Sequence, residues 1–155
     1  MKSFIFNALV WLNRPTIQSV IVGLALIFVI TVSDALELII ADDPQCSYCN
    51  QFRADIDYDQ SPHAEWAPAV FITYSIGYHQ SRDEWPNWFG AAMDEGRIDP
   101  IRGTPTFIFY ATPKGETDPV EIGRIIGYGG AEWFNATMEK YRAAYNEWKV
   151  LQEGM

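Results

Sequence analysis

The chain has 155 residues, 48% of them hydrophobic and 15% aromatic, enough to fill one core and little more, since a single domain typically occupies about 100–200 residues. Its net charge of -9 comes without a basic stripe, which argues against nucleic acid and anionic membrane surfaces as partners. No internal repeat or low-complexity tract is present, so a repeat architecture is excluded as well.

Residues 1–35 differ in kind from the remainder. Lys2 and Arg14 are the only charges before Asp34, and the thirteen residues Val20 to Val32 are apolar apart from Gly23 and Thr31, with Ser33-Asp34-Ala35 following. A basic start, a short apolar run and small residues at a cleavage point form the pattern of a secretory signal peptide. A membrane-spanning helix usually needs about twenty apolar residues, more than this run supplies. Cleavage after Ala35 is therefore expected. An uncleaved N-terminal anchor reaching back to Thr16, and a buried first helix, are the alternatives. On the first two readings the working domain is 36–155 in the periplasm or its equivalent, where disulfides persist, with a net charge of about -10.

Leu36 to Ala41 reads as a mostly buried strand, ended by Asp42-Asp43-Pro44. Pro44-Gln45-Cys46-Ser47-Tyr48-Cys49 follows, containing the only two cysteines, and leads into a helix-compatible stretch from Asn50 to Asp57. A Cys-x-x-Cys pair at a strand-to-helix junction puts the first sulfur over the unsatisfied N–H groups of the helix N-terminus, where thiolate is favoured over thiol. The second cysteine, one turn along, is placed to attack a mixed disulfide formed by the first. Cys46 and Cys49 thus read as a thiol–disulfide exchange site. A structural zinc site needs about four ligands, and beyond the cysteines the chain offers only His63 and His79, at no ligand spacing. Haem attachment is excluded by Asn50 at the histidine position. A purely structural disulfide closing so short a loop restrains little of the unfolded chain.

A loop with Pro62 runs through His63 to Pro68, and Ala69 to Tyr74 is a second, β-rich apolar run. Gly77 to Trp85 is polar and irregular, with His79 expected to be solvated. Glu84 to Glu95 reads as a helix in which Pro86 is tolerable only in the first turn. Phe107 to Tyr110 is a third strand, Pro113 to Glu116 a turn and Val120 to Ile126 a fourth strand, together a hairpin. Gly127, Gly129 and Gly130 break it, and Ala131 to Leu151 is a long helix with Trp133, Phe134, Met138, Tyr141 and Tyr145 at helical spacings. Trp66, Trp85, Trp88 and Trp133 are read as core rather than as a ligand cleft. The order β-α-β-α-β-β-α predicts an α/β fold, a mixed central sheet with helices on both faces.

Cys46-Ser47-Tyr48-Cys49 after the first strand and Ile101-Arg102-Gly103-Thr104-Pro105-Thr106 before the third resemble the paired motifs of the thioredoxin superfamily, over nearly all of residues 36–151. The resemblance implies a thioredoxin-like fold in which Pro105 is cis and, with Thr104, faces Cys46, leaving a backbone edge for a partner's extended chain. It implies Cys46 as nucleophile and Cys49 as resolving thiol, with Gln45, Ser47, Tyr48 and Thr104 forming the surface a substrate meets. Arg53 would favour a thiolate, and Asp42 and Asp43 would oppose it. Two departures stand out: Gln45 replaces the tryptophan that usually precedes the first cysteine, and Ile40 falls where thioredoxins bury an aspartate. Asp42, Tyr48, His63 or water would have to serve instead.

Within the superfamily the chain resembles the periplasmic thioredoxin-like SoxS group of bacterial sulfur-oxidation systems, on those segments and on Glu121 to Tyr128. That implies a monomeric thiol–disulfide oxidoreductase without a cofactor, reducing protein or mixed disulfides. Its substrate would include the sulfur-oxidation carrier protein, and a membrane thiol–disulfide transporter would recharge it. A glutaredoxin-like, glutathione-dependent reductase is the rival in the same chemistry, since Gly129-Gly130 resembles a glutathione-carboxylate site, although a plain turn into a helix cap explains those glycines as well. A non-enzymatic binding module stapled by its cysteines is the alternative from another class.

Overall fold

The computed structural model describes residues 36–75, 82–83 and 85–154. The signal-peptide reading of residues 1–35, the solvated-loop reading of His79 and the expected helix start at Glu84 lie outside them. Four strands, β1 (Glu37–Asp42), β2 (Ala69–Thr73), β3 (Thr106–Ala111) and β4 (Val120–Ile126), form one sheet in the order β2-β1-β3-β4. β1 runs parallel to β2 and antiparallel to β3, and β3 and β4 form the antiparallel hairpin. Three helices cover it: α1 (Ser47–Asp55), α2 (Asn87–Asp94) and α3 (Ala131–Glu153).

Both middle strands are apolar runs without alternation because both of their faces are covered. Leu38 to Ala41 and all of β3 are buried. Leu38 and Ile40 point with Phe107 and Phe109 toward α1 and α3, where Phe52, Phe134, Met138 and Tyr145 close the larger core. Ile39, Ala41 and Ile108 point the other way, toward Phe89 and Ala92 of α2. Helices on both faces of a mixed sheet are what the element order required.

Differences at the element ends have local causes. α1 begins at Ser47, with the cysteines at its start as expected, and the Cys46 sulfur caps it by accepting from the Cys49 N–H. The chain then leaves the helix at Ile56 and makes a short 3-10 turn over Tyr58–Gln60. α2 starts at Asn87, with Pro86 extended just outside it rather than in the first turn. Proline has no N–H to give a helix and pushes the residue before it toward extended backbone.

Three of the four tryptophans read as core do pack there. Trp85 lies against Phe89 and Tyr74, Trp88 against Tyr110, and Trp66 on the larger core. Trp133 does not, being 43% exposed. The buried face of α3 runs through Phe134, Met138, Tyr141, Tyr145 and Trp148, and a residue one position before Phe134 is turned about 100° off that face. Its indole lies instead beside Gly129, where an added Cβ would come 3.0 Å from the ring and make it give by a few tenths of an ångström. Gly130 caps α3 at φ +96, a conformation that favours glycine.

Candidate active site

The approach to the cysteines is shaped by Asp43. Its Oδ1 accepts from the Gln45 N–H at 2.9 Å and its carbonyl accepts from the Cys46 N–H at 3.0 Å. This turn lifts Pro44 and Gln45 into solvent and delivers Cys46 to the N-terminus of α1. Asn50 closes the first helical hydrogen bond on the Cys46 carbonyl. Phe52, fully buried among Phe107, Tyr128 and Phe134, holds the helix to the sheet from below.

Both cysteines are free thiols, Cys46 half-buried and Cys49 fully buried. The Cys46 Sγ accepts from the Cys49 N–H at 3.3 Å and lies 3.2 Å from the Thr104 carbonyl. The Thr104–Pro105 peptide is cis, as the sequence resemblance implies, and Pro105 is buried. The Pro105 carbonyl accepts from the Gly127 N–H at 2.7 Å, and the Thr106 hydroxyl donates to the Gly103 carbonyl at 2.6 Å. Ser47 and Tyr48 are exposed on the first turn of α1, beside the sulfur. Of the residues predicted to form the site, Cys46, Cys49, Thr104 and Pro105 are therefore brought together, with Gln45, Ser47 and Tyr48 on the rim.

The two thiols are driven apart in acidity. Partial burial works to raise the Cys46 pKa, but hydrogen bonds from the Cys49 thiol and N–H, from Thr104 and from the Tyr48 N–H outweigh it, leaving Cys46 below an ordinary thiol. The N–H donors are those of the first helical turn, so this is the helix N-terminus acting on the sulfur. Burial raises Cys49, and its hydrogen bond to Cys46 pushes it further, up to about 11. Cys46 is thus the more acidic of the two thiols, and Cys49 keeps its proton at neutral pH.

Arg53 is not among the groups that lower Cys46. Its guanidinium pairs with Asp42 Oδ2 and donates to Asn50 Oδ1, so the expected thiolate-favouring cation is spent on its neighbours. Asp42 is the partner of that guanidinium, and Asp43 accepts from the Gln45 N–H. Ile40 is fully buried in the core, an apolar residue where thioredoxins carry an acid. His63 is buried against Trp66 and Phe134, with Nε2 2.9 Å from Asn135 Oδ1, and so ties the 61–67 loop to α3.

The sequence reading had Tyr48 and Gly129 as site candidates and missed Ile126, Tyr128 and Trp133. Ile126, Gly127, Tyr128, Gly129 and Trp133 line, with Tyr48, a shallow open recess of about 330 Å³. Periodicity alone assigned Trp133 to the core, and Gly129 was read either as a glutathione-carboxylate site or as a turn into a helix cap.

A family model described as a thioredoxin-like domain matches residues 30–142. No curated protein matches the chain. Among solved structures, the chain is similar to the periplasmic thioredoxin SoxS from Paracoccus pantotrophus in its reduced form, with 24% identity and a TM-score of 0.49 over 70% of this chain and 97% of that one. It is similar to a thioredoxin from Thermus thermophilus at 20% identity and TM-score 0.44, over 68% of this chain and 72% of that one. A thioredoxin from Malassezia sympodialis follows at 17% and 0.43, over 72% and 80%. Because the family model spans most of the sequence and both cysteines fall inside it, the chain belongs to the thioredoxin-like family and is a thiol–disulfide oxidoreductase.

Proposed function

We propose that this protein is a periplasmic reductase of protein disulfides, with Cys46 as nucleophile and Cys49 as resolving thiol. The observation that carries the reading is the asymmetry of the pair: a half-exposed, acidified Cys46 held at the helix N-terminus 3.2 Å from the Thr104 carbonyl, above a buried Cys49 that stays protonated. The Cys46 thiolate attacks a substrate disulfide, forming a Cys46–substrate disulfide and releasing the first substrate thiolate. Cys49 then loses its proton and attacks the Cys46 sulfur, and the second substrate thiolate leaves with the electron pair of the broken bond. The substrate is reduced by two electrons and the Cys46–Cys49 pair is oxidised to a disulfide. A dithiol donor must restore it, and a membrane thiol–disulfide transporter is the class of donor that reaches the periplasm.

Thr104 and Pro105 position the incoming chain, and Gln45, Ser47 and Tyr48 form the rim it crosses. The periplasmic assignment rests on the composition of residues 1–35, read as a cleaved signal or an anchor. Among the described residues no helix is long and apolar enough to cross a membrane. The carrier protein of a sulfur-oxidation system is the candidate substrate.

The Cys49→Ser variant tests the reading in cells. Without the resolving thiol the first step is completed and the second is not, so a mixed disulfide through Cys46 should accumulate on periplasmic proteins and collapse on adding dithiothreitol. Recovery of the variant with no attached protein, or with adducts from cytoplasmic proteins alone, would refute it.

A further inference from the structure

We propose that Arg124, gripped by Glu121, is a positioning residue for disulfide exchange, holding the loop 99–105 so that Thr104 and Pro105 stay aligned on Cys46 when a substrate chain arrives. The inference rests on the reductase reading above and adds to it two residues of β4 outside the cysteine motif.

The loop depends on side chains for its course. Residues 99–105 belong to no helix or strand, and Pro100 and Pro105 have no N–H to give. Its Thr104 carbonyl nevertheless stands 3.2 Å from the Cys46 sulfur. β4 supplies the hold at both ends. At the far end the Gly127 N–H donates to the Pro105 carbonyl at 2.7 Å, backbone to backbone. At the near end Arg124 Nη2 donates to the Asp99 carbonyl at 2.7 Å and Nη1 to the Pro100 carbonyl at 3.1 Å, while Glu121 Oε2 accepts from the Asp99 N–H at 3.2 Å. Between them the Tyr74 hydroxyl donates to the Ile101 carbonyl at 2.9 Å.

Glu121 and Arg124 meet because β4 is bulged. Three positions apart on a regular strand, they would point to opposite faces of the sheet. Gly123 pairs with Phe109 and Glu121 with Tyr110, so Ile122 is an extra residue that reverses the alternation. Arg124 therefore stands opposite Ile108 and Glu121 opposite Tyr110, both on the α2 side. There Arg124 Nε donates to Glu121 Oε1 at 2.6 Å. Tyr141 secures the bulge from the other side. Its ring lies so close over Gly123 that a Cβ there would come to 2.4 Å, and its hydroxyl donates to the Arg124 carbonyl at 2.5 Å.

This is not an ordinary surface ion pair. The two side chains are only 14% and 15% exposed, whereas Arg82–Asp94 and Arg142–Glu139 are more than half exposed. Charges so far out of water are costly unless their partners are complete. Each guanidinium nitrogen of Arg124 has an acceptor, a planar fork that lysine reproduces only in part. A peptide that lies along the Thr104 backbone needs the loop in register. A small disulfide without a peptide chain needs only the sulfur.

The test compares kcat/KM of the full-length protein on an extended peptide disulfide and on hydroxyethyl disulfide, read as a ratio within each variant so that any loss of folded protein cancels. Arg124→Leu should lower the peptide-to-hydroxyethyl ratio about tenfold, and Arg124→Lys, which keeps a cation and some of the donors, should stay within about threefold of the parent. Arg97→Leu is the control. It removes another arginine-to-carbonyl bond between this connection and the start of β4, from Nη1 to Pro119 at 3.0 Å, and should leave the ratio unchanged. Should Arg124→Leu not fold, Glu121→Gln loosens the same grip at constant size and should lower the ratio about threefold. A ratio unmoved by Arg124→Leu or, in its place, Glu121→Gln, or one lowered as much by Arg97→Leu, would overturn the positioning role and leave the reductase reading standing. A parent protein unable to reduce hydroxyethyl disulfide would overturn that reading, and the positioning role with it.

Discussion

Replacing Cys46 by serine is expected to abolish disulfide reduction, a loss of at least about a thousandfold, because a hydroxyl at its ordinary pKa does not replace a thiolate nucleophile. Serine is the informative substitution because of where the sulfur sits. Cys46 is the N-cap of α1, accepting from the Cys49 N–H. A serine Oγ can take over that bond, whereas alanine leaves the donor unsatisfied at a cost of about 1 kcal/mol. The serine variant should therefore denature close to the parent and the alanine variant slightly earlier, with both inactive on a test disulfide. Activity retained in the serine variant would return the cysteines to a structural role.

Phe52→Ala should lower the stability of the fold by about 3–5 kcal/mol, the range for emptying a large aromatic site in a packed core. Phe52 is 1% exposed, and its ring meets Phe107 at 4.9 Å, Phe134 at 5.3 Å and Tyr128 at 5.5 Å. No small rearrangement fills a space bounded by three rings from two strand-end segments and a helix. Since whole domains are stable by about 5–15 kcal/mol, this is a large share. Urea denaturation should show an earlier midpoint with an unchanged slope. The functional consequence follows from the same contacts. Phe52 anchors the helix whose first turn acidifies Cys46 and buries Cys49, so loosening it should also make Cys49 accessible to alkylation in the native protein. A shift under about 1 kcal/mol would mean the site had collapsed around the missing ring and that the four-ring cluster does not hold α1 in place.

How much of this was legible in the sequence depended on whether the signal was local. Leu38 to Ala41 and Phe107 to Tyr110 are continuous apolar runs, and a strand covered on both faces has no other pattern to show. The cysteine pair and the Thr104-Pro105 segment sit 58 positions apart at the Cys46–Thr104 contact. Resemblance to a family joined them, since no spacing rule links residues that far separated.

What escaped the sequence were relations between neighbours in space. Arg53, Asp42 and Asp43 each have the charge to act on the sulfur, yet Arg53 and Asp42 neutralise one another and Asp43 builds the turn. Trp133 shares the helical spacing of the core residues, but one residue's rotation carries it to the rim of the site, where Gly129 leaves it room. Periodicity reports which face a residue is on and says nothing of what that face meets.

The most direct test is a pH titration of thiolate formation in the reduced protein, followed by ultraviolet absorbance. Two interacting thiols lose their protons in two macroscopic steps. The first step should lie below the 9.0 of an ordinary thiol and coincide with the pH dependence of Cys46 alkylation, and the second should lie near 11. Two thiols titrating together at or above 9.0 would show that the α1 N-terminus does not single out Cys46, and the mechanism proposed here would lose its nucleophile.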